Sequence, residues 1–122
     1  MDNPKLIFKR ALELLDDAKY TFDGDRYNTS INRSYYAVFY GAKALLAKKG
    51  IVTKTHSGTI SKFGFEYVVN GDFNKDIAKI ISELEEERSN VDYDYEFSAE
   101  KMRAKEDLIN AEKFLKECEK FL

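Results

Sequence analysis

The side chains that could do chemistry in this chain are few enough to weigh one by one. Among 122 residues there is one histidine, His56, and one cysteine, Cys118. One imidazole and one thiol fall short of the usual ligands of a zinc site, so the sequence implies no metal, and a hydrolase triad would have to use His56. Neither a G-x-x-x-x-G-K-[ST] nor a G-x-G-x-x-G loop occurs, which argues against the standard nucleotide and dinucleotide cofactor enzymes and for no cofactor at all. Arg88 stands out by its position. It shares one helical stripe with Ile77, Ile80, Ile81, Leu84 and Val91, and a guanidinium buried alone there would cost several kcal/mol. It therefore needs an anion, either Asp92 one turn onward or one supplied by a ligand.

Arg33 raises the same question among the aromatic residues of Tyr35-Tyr36-Ala37-Val38-Phe39-Tyr40. It could pair with Asp92 and stack on Tyr36, or it could contact a phosphate. His56 precedes Ser57-Gly58, where the amides of a helix N-terminus could hold a phosphate or carboxylate, and the plainer alternative is a loop or capping histidine. Tyr93 and Tyr95 could stack on a base or fill an interface. Cys118 reads as a small buried apolar residue.

Charge is segregated along the chain. Between Arg26 and Phe65 there are seven basic residues, Lys54 among them, and no Asp or Glu, whereas the rest of the chain holds 13 basic and 22 acidic residues. The net charge of −2 gives no global attraction to nucleic acid or membrane, but a one-sided cationic segment can still draw in phosphate. It could equally answer the acidic helices of the same molecule.

Helical spacing organises all of these residues. Asn3-Pro4 reads as an N-cap and first helical position for a helix to about Phe22, buried along Ile7, Ala11, Leu14, Leu15 and Ala18. Asp23-Gly24-Asp25 then turns the chain, with Asp25 as the next cap. A second helix from about Arg26 to Lys49 is apolar on nearly every face, as a central helix must be, and Gly50 ends it. The spacing predicts further helices over about 57–69, 72–90 and 99–122, the last capped by Ser98 and carrying Leu108, Ala111, Leu115, Cys118 and Leu122 inward. Nothing alternates with period two. The expected fold is all-α, one antiparallel bundle of about five helices filling residues 1–122. Met1 to Arg10 lack the apolar stretch of a signal peptide, no run approaches a membrane span, and the lone cysteine suits the cytoplasm.

Three blocks, Asn32-Arg33-Ser34-Tyr35-Tyr36-Ala37-Val38-Phe39, Lys54-Thr55-His56-Ser57-Gly58 and Arg88-Ser89-Asn90-Val91-Asp92-Tyr93, resemble the HEPN domain family in kind and separation. The resemblance extends over almost the whole chain. It implies a helical homodimer, often encoded beside a minimal nucleotidyltransferase as a toxin and antitoxin pair, and in many members a metal-independent ribonuclease. Those nucleases carry an Arg, then four to six intervening residues, then a His near the end of a late helix. Arg88 matches the arginine, but Tyr93, Asp94 and Tyr95 occupy the window of the histidine. The departure matters because a tyrosine with a pKa of about 10 does not exchange protons readily at neutral pH, as an imidazole does.

Three readings of function follow. In the first, Arg33, Lys54, His56, Arg88 and Asp92, with Tyr93, hold a nucleotide or RNA phosphate. In the second, the chain cleaves RNA, with Arg88 stabilising the transition state and His56 or Tyr93 moving protons, which requires His56 to lie within hydrogen-bond reach of Arg88. In the third, the bundle only docks and restrains a nucleotidyltransferase partner, for which Tyr93 could also be a target of nucleotidylation.

Overall fold

The computed structural model describes residues 3–122, and within them it is an all-helical antiparallel bundle. Met1 and Asp2, part of the segment read above as lacking a signal peptide, lie outside the described residues. The long helices are α1 (Pro4–Asp23), α2 (Tyr27–Lys48), α5 (Ile80–Tyr93) and α6 (Lys101–Glu119). Between α2 and α5 lie α3 (His56–Phe63), which continues as a wider π-helical segment over Gly64–Val69, and the single turn α4 (Lys75–Ala78).

α2 is the centre, as its all-round apolar sequence demands, and it packs against α1, α3, α5 and α6. Its Ile31, Ala37, Val38, Ala42, Ala44 and Leu45 are entirely out of solvent. The start of α1 follows the expected chemistry: Pro4 opens the helix and the Asn3 side chain accepts from the amides of Lys5 and Leu6. Gly50, just beyond the end of α2, has φ +73°, a conformation that a Cβ would strain. Gly41 is needed for another reason. A Cβ there would sit 2.6 Å from Leu115 Cδ2 and 3.4 Å from Cys118 Sγ, so glycine sets how closely α2 and α6 approach.

Several local expectations give way to tertiary contacts. Asp25 does not cap α2. It takes φ +60° inside the turn and accepts from the Tyr27 hydroxyl, and Arg26 stands at the cap position without a side-chain bond. Ser98 does not cap α6 either, which starts after Glu100. The preceding stretch of loop is tied down by Asn28 instead, whose amide donates to the Phe97 carbonyl and whose carbonyl accepts from the Ala99 amide. The helix expected over 72–90 begins after its Asn74 cap, breaks at Lys79 and continues to Tyr93, which puts Asp92 and Tyr93 on helix rather than loop. Leu122 is 37% exposed, so the inward stripe of α6 stops at Cys118 and is filled out by Ala104 and Phe114, which spacing alone had not singled out.

One buried acid works against the fold at neutral pH. Asp107 on α6 is 4% exposed, its Oδ2 has no hydrogen-bond partner, and burial together with the Glu87 charge pushes its carboxyl up to about 7. Between the ordinary carboxylate range and about pH 7 the folded state thus holds a proton that the unfolded chain has released, so stability falls as pH rises through that window. Asp107→Asn should flatten this slope and raise the melting temperature at pH 8, read by thermal denaturation across pH 4–8. Gly41→Ala gains helix propensity but overpacks the α2 and α6 contact, and should lower stability by roughly 1 kcal/mol in chemical denaturation.

Candidate functional site

The middle of α2, the start of α3 and the last two turns of α5 converge on one guanidinium. Arg88 is buried, its side chain 6% exposed. Tyr35 and Tyr36 of α2 and Tyr93 of α5 surround it, with ring centroids 5.0, 5.9 and 5.6 Å from its Cζ. Its Nη2 donates to Glu85 Oε1 at 2.5 Å, and its Nη1 lies 3.6 Å from Asp92 Oδ2 and 3.4 Å from the Tyr93 hydroxyl. Helical spacing explains both acids, three residues before and four after Arg88. Burial by itself would lower the Arg88 pKa, but the hydrogen bond to Glu85 and the surrounding charge raise it, and the group is permanently cationic. Partial burial would in turn raise the Glu85 carboxyl, and the bond from Arg88 holds it below its ordinary value instead.

His56 joins this cluster from 32 residues away. It is the first residue of α3, beginning after Thr55, whose hydroxyl accepts from the Gly58 amide. That bond takes one of the N-terminal amides expected to be open to an anion. The imidazole packs on Phe39, at 4.5 Å between centroids, and its Nδ1 lies 3.1 Å from Arg88 Nη2 and 3.0 Å from the Tyr35 hydroxyl. Burial pushes the Tyr35 phenol far above its usual range, so it stays a donor. Arg88 Nη2 can only donate, so Nδ1 accepts from it and the neutral ring carries its proton on Nε2, while Glu85 Oε2 lies 3.7 Å from the same nitrogen.

Arg33 is reached through an intermediary. It neither pairs with Asp92 nor stacks on Tyr36, and both places are taken, by Asn32 and Arg88. Asn32 Nδ2 donates to both Asp92 oxygens at 3.0 Å, and its Oδ1 accepts from Arg33 Nη1 at 2.5 Å. A continuous polar chain therefore runs from Arg33 through Asn32, Asp92 and Arg88 to His56 and Glu85. At its Arg33 end lies a hollow of about 370 Å³, lined by Asn28, Thr29, Asn32, Arg33, Val91 and Asp92. Lys54 stands exposed two residues before His56. Among the described residues neither Lys54 nor Arg33 has a carboxylate within ion-pair distance, so these two cations are uncommitted whereas Arg88 is paired. Tyr93 is 76% exposed despite its contact with Arg88.

Of the residues singled out from sequence, Arg33, His56, Arg88, Asp92 and Tyr93 form one network, and Lys54 lies at its edge without touching it. Glu85, Asn32 and Tyr35 were missed. Glu85 was legible in principle, since a carboxylate three residues before an arginine on a helix is its natural partner.

The family model described as HEPN domain matches residues 5–121. The chain belongs to the HEPN domain family. A UPF0332 protein of Thermotoga maritima is 38% identical over 114 residues, which span 93% of this chain and 86% of that one. A protein of Methanocaldococcus jannaschii that bears the name "Putative toxin MJ0605" is 34% identical over 112 residues, 92% of this chain and 83% of its own. Another from that organism, "Putative toxin MJ0142", is 28% identical over 95% of this chain and 79% of its own. In fold, the HEPN bundle superposes on the crystal structure of TT1696 from Thermus thermophilus with a TM-score of 0.84 over the full length of both chains, at 20% identity.

Removing the guanidinium would leave Glu85 and Asp92 without their shared cation beside three tyrosines. Arg88→Ala should destabilise the HEPN bundle by about 3 kcal/mol, and Glu85→Gln added to it should recover part of that loss, as a double-mutant cycle by urea unfolding would measure.

Proposed function

We propose that this HEPN protein binds the phosphate of RNA or of a nucleotide along the face that runs from the Arg33 hollow past Asp92 and Arg88 to His56 and Lys54, and that it serves as the toxin-type member of a two-protein pair. The observation that carries the reading is the division of labour among the cations. Arg88 is neutralised by Glu85 and Asp92 and acts as a rigid hub, while Arg33 and Lys54 stand at either end without an acid. Phosphate attraction then comes from the free cations, and the hub keeps Asn32, His56 and the tyrosine hydroxyls in place as polar partners. The names of the two archaeal relatives support the toxin role. The family resemblance supplies the partner, a minimal nucleotidyltransferase, and a homodimeric, cytoplasmic form.

A second reading, RNA cleavage, is favoured by one contact, the 3.1 Å approach of Arg88 to His56 Nδ1. Once Nδ1 has taken a proton, the imidazolium can give its Nε2 proton to the 5′-oxygen as the P–O bond breaks, the attacking 2′-hydroxyl loses its own proton to solvent, and an adjacent guanidinium stabilises the charge that builds on phosphorus. His56 would thereby do what the tyrosines in the usual histidine window cannot.

Titration with fluorescent single-stranded RNA and with nucleoside triphosphates at low ionic strength tests the binding. Affinity should fall with salt, and Arg33→Ala and Lys54→Ala should each reduce the slope of log K against log salt by about 1 without altering stability. No binding of either ligand at low salt would sink the proposal. Cleavage is separated by His56→Gln, which should lose no more than a few-fold in RNA affinity, since the free cations remain, and should leave the RNA intact. A variant that still degrades RNA at the parental rate rules out the histidine mechanism.

A further inference from the structure

On a different face, α3, its π-helical continuation and the α4–α5 junction enclose an apolar groove of about 580 Å³, floored by Ile60, Phe63, Val68 and Ile81 and open to solvent between Phe65 and Lys79. Its origin is the change of helix type. Over Gly64–Val69 the chain widens to bonds five residues apart, of which the Asn70 amide to Phe65 carbonyl bond is the last. Phe63 and Tyr67 lie on the core side, stacked on each other with centroids 5.9 Å apart, and Phe65 is 52% and Val69 72% exposed at the groove's lip. Two large apolar side chains facing water beside an apolar trough form a surface that lacks a cover.

Two further features say what covers it. Lys75 and Lys79 line the groove and, among the described residues, no Asp or Glu does, with the exposed Asp76 Oδ1 4.0 Å from Lys79 Nζ, although acidic residues outnumber basic ones in the chain as a whole. Gly64 also lines it, at helical φ and ψ of −59° and −44°, and a Cβ added there would meet nothing within 4 Å. No internal packing therefore calls for glycine at this position, and helix propensity opposes it. The bare backbone is accounted for if something outside the chain lies close against it.

We infer that this groove receives an amphipathic helix of a partner protein, its apolar residues seated between Phe65, Val69 and Ile81 and its acidic residues against Lys75 and Lys79. A helix fits because the trough lies along α3 and is walled by helix on both sides, so anchors spaced three and four residues apart can enter it. The site is separate from the Arg88 network and does not depend on phosphate binding there.

Titration of the full chain with a labelled 14-residue helical peptide, leucines at i, i+3, i+4 and i+7 with glutamates flanking them, tests the inference against the same peptide carrying lysines. The glutamate peptide should bind at least tenfold tighter and shift the backbone NMR signals of Phe65, Val69 and Lys79. Gly64→Ala should raise the melting temperature, whereas Gly64→Leu should keep a folded spectrum and weaken binding at least tenfold. Equal binding of the two peptides, no saturable binding, or binding undiminished in Gly64→Leu would overturn it. Concentration-dependent self-association abolished by Phe65→Glu would overturn it too, by giving the groove to a second copy of the chain.

Discussion

The architecture of the candidate site depends on one constraint, the need of a buried guanidinium for both charge partners and flat apolar neighbours. Arg88 satisfies it with two carboxylates from its own helix and three tyrosine rings, two of them from α2. A lysine ammonium could not take the same place, since it lacks the planar fork that bonds Glu85, His56 and Tyr93 in different directions while stacking on rings. Because α2 supplies the rings and α5 the acids, Arg88 also fixes how these helices sit against each other. The same contact that stabilises the bundle thus holds His56 and Asp92 in position.

This coupling changes what an arginine in the HEPN pattern means here. A cation already matched by two acids offers little net attraction to a further anion, so in the phosphate binding we propose its electrostatic contribution would be second to that of Arg33 and Lys54. Its contribution to order is first. The guanidinium, which can only donate, faces Nδ1 of the imidazole and leaves the proton of the neutral ring on Nε2. Asn32 does comparable work at the other end, where its amide holds both oxygens of Asp92 and its carbonyl orients Arg33. The site is best described as a wired line of polar groups with free cations at its ends.

Periodicity in the amino-acid sequence was enough for the all-helical bundle, for the central place of α2, for the Asn3-Pro4 start and the Gly50 stop, and for Arg88 on a buried stripe. These follow from local rules: apolar residues recur every three or four positions, an Asn side chain caps orphan amides, and glycine tolerates positive φ. The three motif blocks were likewise sufficient to recognise the HEPN family. What they left open was decided by contacts between residues far apart in the chain. Asn28 displaced Ser98 in organising the start of α6, and Asn32 displaced Arg33 as the partner of Asp92, because each sits on α2 where the facing loop or helix presents a group to bond. His56 read as a loop residue until α3 folded against α2 and α5 and brought it to Arg88. The widening of α3 beyond Phe63, with the groove it opens, likewise has no signature in hydrophobic spacing, since Phe63 and Tyr67 keep the four-residue spacing of an ordinary helix. Local sequence determined which residues are helical and which are buried, because those properties depend on neighbours a turn away; only the tertiary structure determined which polar groups meet, because that depends on how the helices pack.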